Sequence, residues 1–222
     1  MAINMRSRGL VDNLNQFNFH ILGCGAIGSA AALQLVRMGA ENFCLYDNDD
    51  VDTGNIGVSQ YNINDISYPK VDCLKVKILD INAQAEIMCA NEMFANYVFI
   101  NDNDIIILGF DSMKSRLDAV KALGKWKYTK PYAIIDGRMG AEHYQQYVLL
   151  KPTLKAYKQI WYSDEEGSEE PCNMKATSYC SNMSGSFIAN AVRKIVTKQP
   201  YEEFTSFHFP TMTIEKNTCL FK

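Results

Sequence analysis

The sequence predicts an α/β fold, a doubly wound and mostly parallel sheet with a short antiparallel extension at its C-terminal end. Three observations carry that expectation: five short apolar runs of strand length, helical patterns between several of them, and a glycine loop joining the first run to the first helical pattern. Short apolar runs suit strands covered on both faces, and strands alternating with helices imply parallel pairing, because each crossover must return over a face of the sheet.

Taken in order, the strand-like runs are residues 19–22, 43–46, 87–90, 105–108 and 132–135. Residues 26–38 are rich in Ala and Leu with no breaker after Gly28, and residues 71–81 and 114–123 repeat apolar side chains at spacings of three and four. Asp136-Gly137-Arg138-Met139-Gly140 reads as a turn closing the fifth strand. Residues 144–150 form a further strand, residues 163–171 an acidic loop, and residues 179–197 a Ser/Ala-rich helix that Pro200 stops. Residues 204–209 and 212–214 make a late hairpin with Pro210 at its turn. No repeat or Gly/Ser linker interrupts the chain, so residues 1–222 are read as one domain, with a nucleotide-binding half at 17–136 and the rest at 137–222.

Composition narrows the function. Of 222 residues 47% are hydrophobic and 21% charged, which excludes disordered, collagen-like and coiled-coil chains. Acids exceed bases by 25 to 22, and a formal charge of −3 argues against a nucleic-acid-binding protein. No run approaches the ~18 apolar residues of a membrane span, and the first residues lack a secretory apolar core, so the expected location is cytoplasmic. Seven cysteines, at 24, 44, 73, 89, 172, 180 and 219, include no C-x-x-C pair, and the three histidines are scattered. Neither a disulfide framework nor a structural zinc site is expected.

The chemistry begins at Gly23-Cys24-Gly25-Ala26-Ile27-Gly28, a G-x-G-x-x-G loop between strand and helix. Its glycines permit a tight turn and close approach of phosphate oxygens to backbone N–H groups, at a helix end carrying about half a positive charge. Asp47 follows Gly28 by nineteen residues, at the end of the second strand, where an acid binds ribose hydroxyls in a Rossmann-like domain. To this point NAD and ATP fit equally. Asp49, Asn55, Gln60 and Lys70 separate them, because an amide, an acid and a lysine at a helix start suit a triphosphate that must be bent, neutralised and displaced.

With those residues in place the sequence resembles the ThiF/MoeB/HesA family, the prokaryotic branch of the ubiquitin-activating-enzyme superfamily, over residues 17–197. The family pattern appears in order: the glycine loop from Gly23 to Gly28, D-x-D-x-V at Asp47, Asp49 and Val51, an amide pair at Asn55 and Gln60, Lys70, and Asp111 opening D-S-M-K-S-R with Arg116. The resemblance implies ATP-dependent adenylation of the C-terminal carboxylate of a small ubiquitin-like or sulfur-carrier protein, or of a peptide, by a homodimer. It assigns ribose binding to Asp47, phosphate neutralisation to Lys70, orientation of phosphate or leaving group to Asn55 and Gln60, and magnesium to Asp111. As alternatives, Asp111 caps its helix and Lys70 lies on a solvated helix face.

Two features depart from the pattern. The family arginine before Gln60 is missing: Val58 or Ser59 stands there, with Arg138, or Arg6 or Arg8 from a neighbouring chain, as candidate substitutes. Cys172 is the candidate for carrying the acyl group onward as a thioester, the alternative being a packing cysteine; Cys180 reads as core and Cys24 as a small filler. Three rival functions remain: activation of a small molecule or an RNA-borne group, a nucleotide-binding partner module without catalysis, and an NAD-dependent oxidoreductase.

Overall fold

The computed structural model describes residues 3–126, 128–166 and 176–221. Its strands are β1 (Asn18–Leu22), β2 (Asn42–Tyr46), β3 (Glu86–Ala90), β4 (Asp104–Leu108), β5 (Ala133–Gly140), β6 (His143–Leu150), β7 (Phe204–His208) and β8 (Thr213–Asn217). They form one eight-stranded sheet in the order β3-β2-β1-β4-β5-β6-β7-β8. The first five are parallel and the last three antiparallel. The helices are α1 (Ala26–Arg37), α2 (Thr53–Ile56), α3 (Lys70–Ile81), α4 (Met113–Ala122), α5 (Leu154–Tyr157) and α6 (Ser178–Val196). Among the described residues no helix is long and apolar enough to cross a membrane.

Alternation along the strands makes two cores. Phe19 and Ile21 of β1, Ile105 and Ile107 of β4 and Ile135 of β5 pack beneath α1, α3 and α6. Leu22, Ile106, Leu108 and Ile134 face the other way, against α4 and α5. A sheet buried on both faces explains why its strands read as continuous apolar runs. On the first face α6 crosses α1 at small residues: a Cβ on Gly185 would lie 2.6 Å from the Ala30 backbone, and Ser181 Oγ donates to Ala26 O at 3.1 Å.

Residues 136–140 are not the turn expected from their sequence. They are the second half of β5, paired with β6 from Asp136↔Tyr147 to Gly140↔His143, and the reversal comes at Ala141, where φ is 49°. The strand continues because its charges satisfy one another. Asp136, at 0% exposure, accepts from Arg138 Nε at 3.1 Å and Nη2 at 2.7 Å, from Tyr157 OH at 2.9 Å, and from Arg116 Nη1. Arg116 also donates to the carbonyls of Leu108 and Phe110, and Arg138 to Ile160 O at 2.9 Å. Burial alone would raise the Asp136 pKa, but the two guanidiniums hold it below the usual carboxylate value. Arg138 is thereby buried and paired, and is not available as the substitute cation considered for it.

Two predictions follow from this packing. A carboxylate whose folded pKa is depressed contributes stability that is present above its unfolded pKa and lost as pH falls through the folded value. Asp136→Asn leaves two buried guanidiniums short of a counter-charge, so it should cost about 3–5 kcal/mol at neutral pH by urea titration. The variant should also show a smaller loss of stability below about pH 4 than the wild type. Gly185→Val should cost about 1–3 kcal/mol in the same titration through overpacking at the α1–α6 crossing.

Candidate active site

The strand order reverses between β1 and β4, and the crevice outside their C-terminal ends is where open α/β sheets bind ligands. The loops leaving those two strands touch. Gly109 N donates to Leu22 O at 2.7 Å, and Gly23 adopts φ +86° with its Cβ position 2.7 Å from Gly109 C. A Cβ on Gly28 would stand 1.9 Å from Gly23 O, so the first turn of α1 closes onto the loop only with glycine there. Gly25 differs, because no described residue lies within 4 Å of its Cβ position. That open space adjoins the N-terminus of α1, which has no side-chain cap and no acid in its first turn. An incoming anion would meet unshielded helix-end N–H groups there.

The acidic side of the crevice is organised by Asp47, just past β2. Its Oδ2 accepts from Cys24 N at 2.6 Å and its Oδ1 from Asp49 N at 2.9 Å. Burial raises its pKa, opposed by the Asp49 backbone hydrogen bond and the charge of Lys70. Lys70 is the first residue of α3 and only 8% exposed, so the solvated-face reading fails; its Nζ donates to Asp49 Oδ2 at 2.8 Å. Burial alone would depress the Lys70 pKa, but the hydrogen bond it donates to Asp49 and the charges of Asp47 and Asp49 hold it above its ordinary value.

Gln60 joins this group through Ser29. Gln60 N donates to Ser29 Oγ at 3.2 Å, Ser29 Oγ donates to Gly25 O at 2.7 Å, and Gln60 Nε2 donates to Asn182 Oδ1 at 2.9 Å. Tyr61 OH donates to Cys24 O at 2.6 Å. Asn55 is occupied differently: with Asp52 it forms the capping box of α2, its Oδ1 accepting from Asp52 N at 3.1 Å. At the vacant family position, Val58 and Ser59 are half-buried, and Ser59 Oγ has no partner among the described residues.

Asp111 is exposed just beyond β4, and the helix-cap role considered for it belongs to its neighbour. Ser112 caps α4, its Oγ accepting from Ser115 N at 3.2 Å. The free N–H groups of α4 are taken by Asp164, which accepts from Met113 N at 2.6 Å and Lys114 N at 3.2 Å. Arg116, which completes the sequence pattern opened by Asp111, turns inward to Asp136. Arg6 and Arg8 are exposed on a segment whose Asn4 donates to Met38 O at 3.2 Å, at the end of α1 opposite the glycine loop. Among the described residues no three His, Cys, Asp or Glu side chains converge as a metal-binding set.

Six described cysteines are free thiols. Burial, with the charge of Asp47, pushes the Cys24 thiol well above its ordinary pKa, and burial lifts Cys180 to about 11, so neither is a thiolate at neutral pH. Cys172 lies outside the described residues. Sequence reasoning missed Ser29, Tyr61, Asp164 and Asn182; each acts through a backbone contact or a partner far along the chain, which no local spacing announces.

Comparison with known proteins gives the fold and the family. A stretch of 85 residues is 36% identical to the tRNA threonylcarbamoyladenosine dehydratase of Bacillus subtilis (strain 168), covering 38% of this chain and 33% of that protein. Another, of 109 residues, is 32% identical to a probable molybdopterin-synthase adenylyltransferase of Porphyra purpurea, covering 47% and 28%. These matches span a third or less of the curated relatives' length. Among solved structures, E. coli MccB with AMPCPP and MccA superposes with a TM-score of 0.71 at 16% identity, over 94% of this chain and 65% of that one. PaaA superposes at 0.75 and 19% identity, over 100% and 69%. Both share the fold. The profile of the ThiF family matches residues 2–221, and the chain therefore belongs to the ThiF family.

Proposed function

We propose that this protein is an ATP-dependent adenylyltransferase that activates the C-terminal carboxylate of a small protein or peptide as an acyl-adenylate. The observation that carries the reading is the open, uncapped helix end beside Gly25, flanked by the Asp47–Asp49–Lys70 group on one side and by Asp111 on the other. It is supported by family membership, by the adenylyltransferase relative, and by the shared fold of MccB, solved with AMPCPP and MccA.

In this reading the ribose hydroxyls bind Asp47, whose oxygens each keep a lone pair beyond the backbone bonds they accept. The phosphates lie against the first turn of α1. Lys70 leaves Asp49 for the phosphate chain, and Gln60 and the Nδ2 of Asn55, which bonds no described residue, orient it. A carboxylate oxygen of the partner attacks the α-phosphorus, the bond to the β-phosphate oxygen breaks, and pyrophosphate departs with the electron pair. Anion meets anion in that step, so alignment and neutralisation are the main contributions of the protein. Magnesium, which keeps most of its waters and needs only one or two carboxylates beside phosphate oxygens, fits the exposed carboxylate of Asp111. When bound it adds positive charge to the triphosphate.

Val58 and Ser59, neither a cation, support a second reading in which the domain binds nucleotide but has lost catalysis. ATP–pyrophosphate exchange with candidate small proteins ending in Gly-Gly separates the two. Binding NAD more tightly than Mg-ATP would sink both.

On the first reading, Asp111→Ala should lower exchange about 100-fold or more. Its urea midpoint should stay at the wild-type value, because Asp111 is exposed and Ser112 is the cap. Ser112→Ala should do the reverse, costing about 1 kcal/mol with exchange per folded molecule retained. Lys70→Ala should lower exchange to a similar degree as Asp111→Ala. Cys172 is proposed as the acceptor that carries the acyl group beyond the adenylate. Cys172→Ala should keep exchange while removing any thiol-sensitive adduct seen on a non-reducing gel; survival of the adduct would move the role to another cysteine.

A further inference from the structure

We infer that the face carrying α4 and α5 is a docking surface for an acidic, compact protein, namely the small protein whose carboxylate is activated; in that identity the inference rests on the proposed function. The first observation is charge segregation. Residues 114–158 hold ten of the 22 basic residues but only three of the 25 acidic ones, a net charge of +7, while the remainder of the chain carries −10.

The surplus is at the surface. Arg116 and Arg138 are buried around Asp136, and Lys114 and Lys121 share Asp118 at 3.0 and 3.1 Å. Lys125, Lys130, Lys151, Lys155 and Lys158 are exposed, and none pairs with a carboxylate among the described residues. Exposed apolar side chains sit among them: Tyr128 at 100% exposure, Leu150 at 39% and Leu154 at 37%. Exposed apolar side chains interspersed with charged ones suit a protein interface, in which the charges steer the encounter.

This face leads to the catalytic edge. Lys151 N donates to Tyr132 O at 3.0 Å, and Lys151, Lys130 and Tyr128 line, with Asp102, an open groove of about 560 Å³ at the end of the sheet opposite the crevice. From there the chain climbs along α4. Tyr157 OH reaches Asp136, Trp161 Nε1 donates to Met113 O at 2.8 Å, and Asp164 meets the α4 N-terminus close to Asp111. A helix the length of α4 spans about 15 Å. An extended C-terminal tail of about five residues covers that distance, so a partner seated on the lysines delivers its carboxylate to the crevice.

Two observations favour protein over RNA. The five exposed residues are all lysines, whereas arginine is the favoured residue for bidentate phosphate contacts. A phosphate backbone extending past the face would also meet the acidic remainder of the molecule, while a bounded acidic patch would not.

The test is fluorescence anisotropy on the full chain without ATP, using labelled poly-L-glutamate and an RNA hairpin of matched charge. Wild type should bind poly-L-glutamate with affinity falling about tenfold or more between 50 and 200 mM salt, in the manner of a contact built from several ion pairs. The triple variant Lys130→Glu, Lys151→Glu, Lys155→Glu should lose a further tenfold or more, with ATP binding unchanged; triple replacement by Gln serves if the reversal variant unfolds. Undiminished binding in the variant overturns the proposal. So does tighter binding of the RNA hairpin than of poly-L-glutamate. Exchange measured on Asp111→Ala reports the adenylation reading alone, and because the anisotropy contains no ATP either reading can fail without the other.

Discussion

The pairing of one buried carboxylate with two buried guanidiniums fixes the edge of the sheet that carries the candidate site. Asp136 sits on β5, Arg116 on α4 and Arg138 two residues further along β5; their remaining donors reach Leu108 O, Phe110 O and Ile160 O. That set ties the end of β4, the start of α4 and the segment after α5 into one unit. Asp111 follows directly on the tie at Phe110 and precedes Arg116 itself, and so does not depend on its own contacts for position. Two guanidiniums against one carboxylate leave a surplus positive charge. The carbonyl dipoles and the Tyr147 ring, 4.5 Å from the Arg138 guanidinium carbon, offset it. A buried pair of this kind is weak evidence for net stability but strong evidence for a specified geometry, since losing any member strands the others without water.

The fold was readable in the sequence because its evidence is local. The apolar runs at 19–22, 43–46, 87–90 and 105–108 lie within β1 to β4, and the helical patterns lie on α1, α3, α4 and α6. What failed was long-range pairing. Residues 136–140 carry two charges and two glycines, which locally signal a turn; only β6 alongside, and Arg116 twenty residues earlier, make them a strand. The cap of α4 shows the same limit. Asp111 and Ser112 are equally good capping residues by type, and which of them turns to the helix depends on where β4 ends. Asp164 reached that helix from a stretch that read only as acidic and polar. Net charge is equally coarse, for −3 summed over the chain includes +7 over residues 114–158 and −10 over the rest.

The candidate site shares a further property that sequence could not reveal: its polar groups are already bonded to one another. Lys70 holds Asp49, Gln60 holds Asn182, Asn55 holds Asp52, and Asp47 holds two backbone N–H groups. Such groups are oriented at little further entropic cost, but a ligand must exchange with the existing partner rather than fill an empty bond. Lys70 shows the balance. Its stem is buried while Asp49 is 59% exposed at the side chain, so on losing the lysine Asp49 recovers water and the lysine gains a more highly charged partner. The exchange favours a polyphosphate over a singly charged anion. In the proposed reading ATP, whose terminal phosphate is the most highly charged, would gain more from Lys70 than the diphosphate of NAD would.

The vacant arginine position sharpens that argument. With Val58 or Ser59 in place of a cation, and Arg138 committed to Asp136, neutralisation from within this chain falls, in the proposed reaction, to Lys70, the N-terminus of α1 and the metal proposed at Asp111. The helix end contributes about half a charge and cannot move, whereas Lys70 can follow the phosphates as they separate. A site with fewer mobile cations depends more on the placement of its reactants. Placement of the partner carboxylate is what a basic docking face contributes: seating the partner body along α4 turns the last step into delivery of a short tail to a fixed crevice. Charge removed from the chemical centre and charge gathered on the docking face thus act on the same barrier, the first raising its electrostatic part and the second lowering the entropy lost in bringing two anions together.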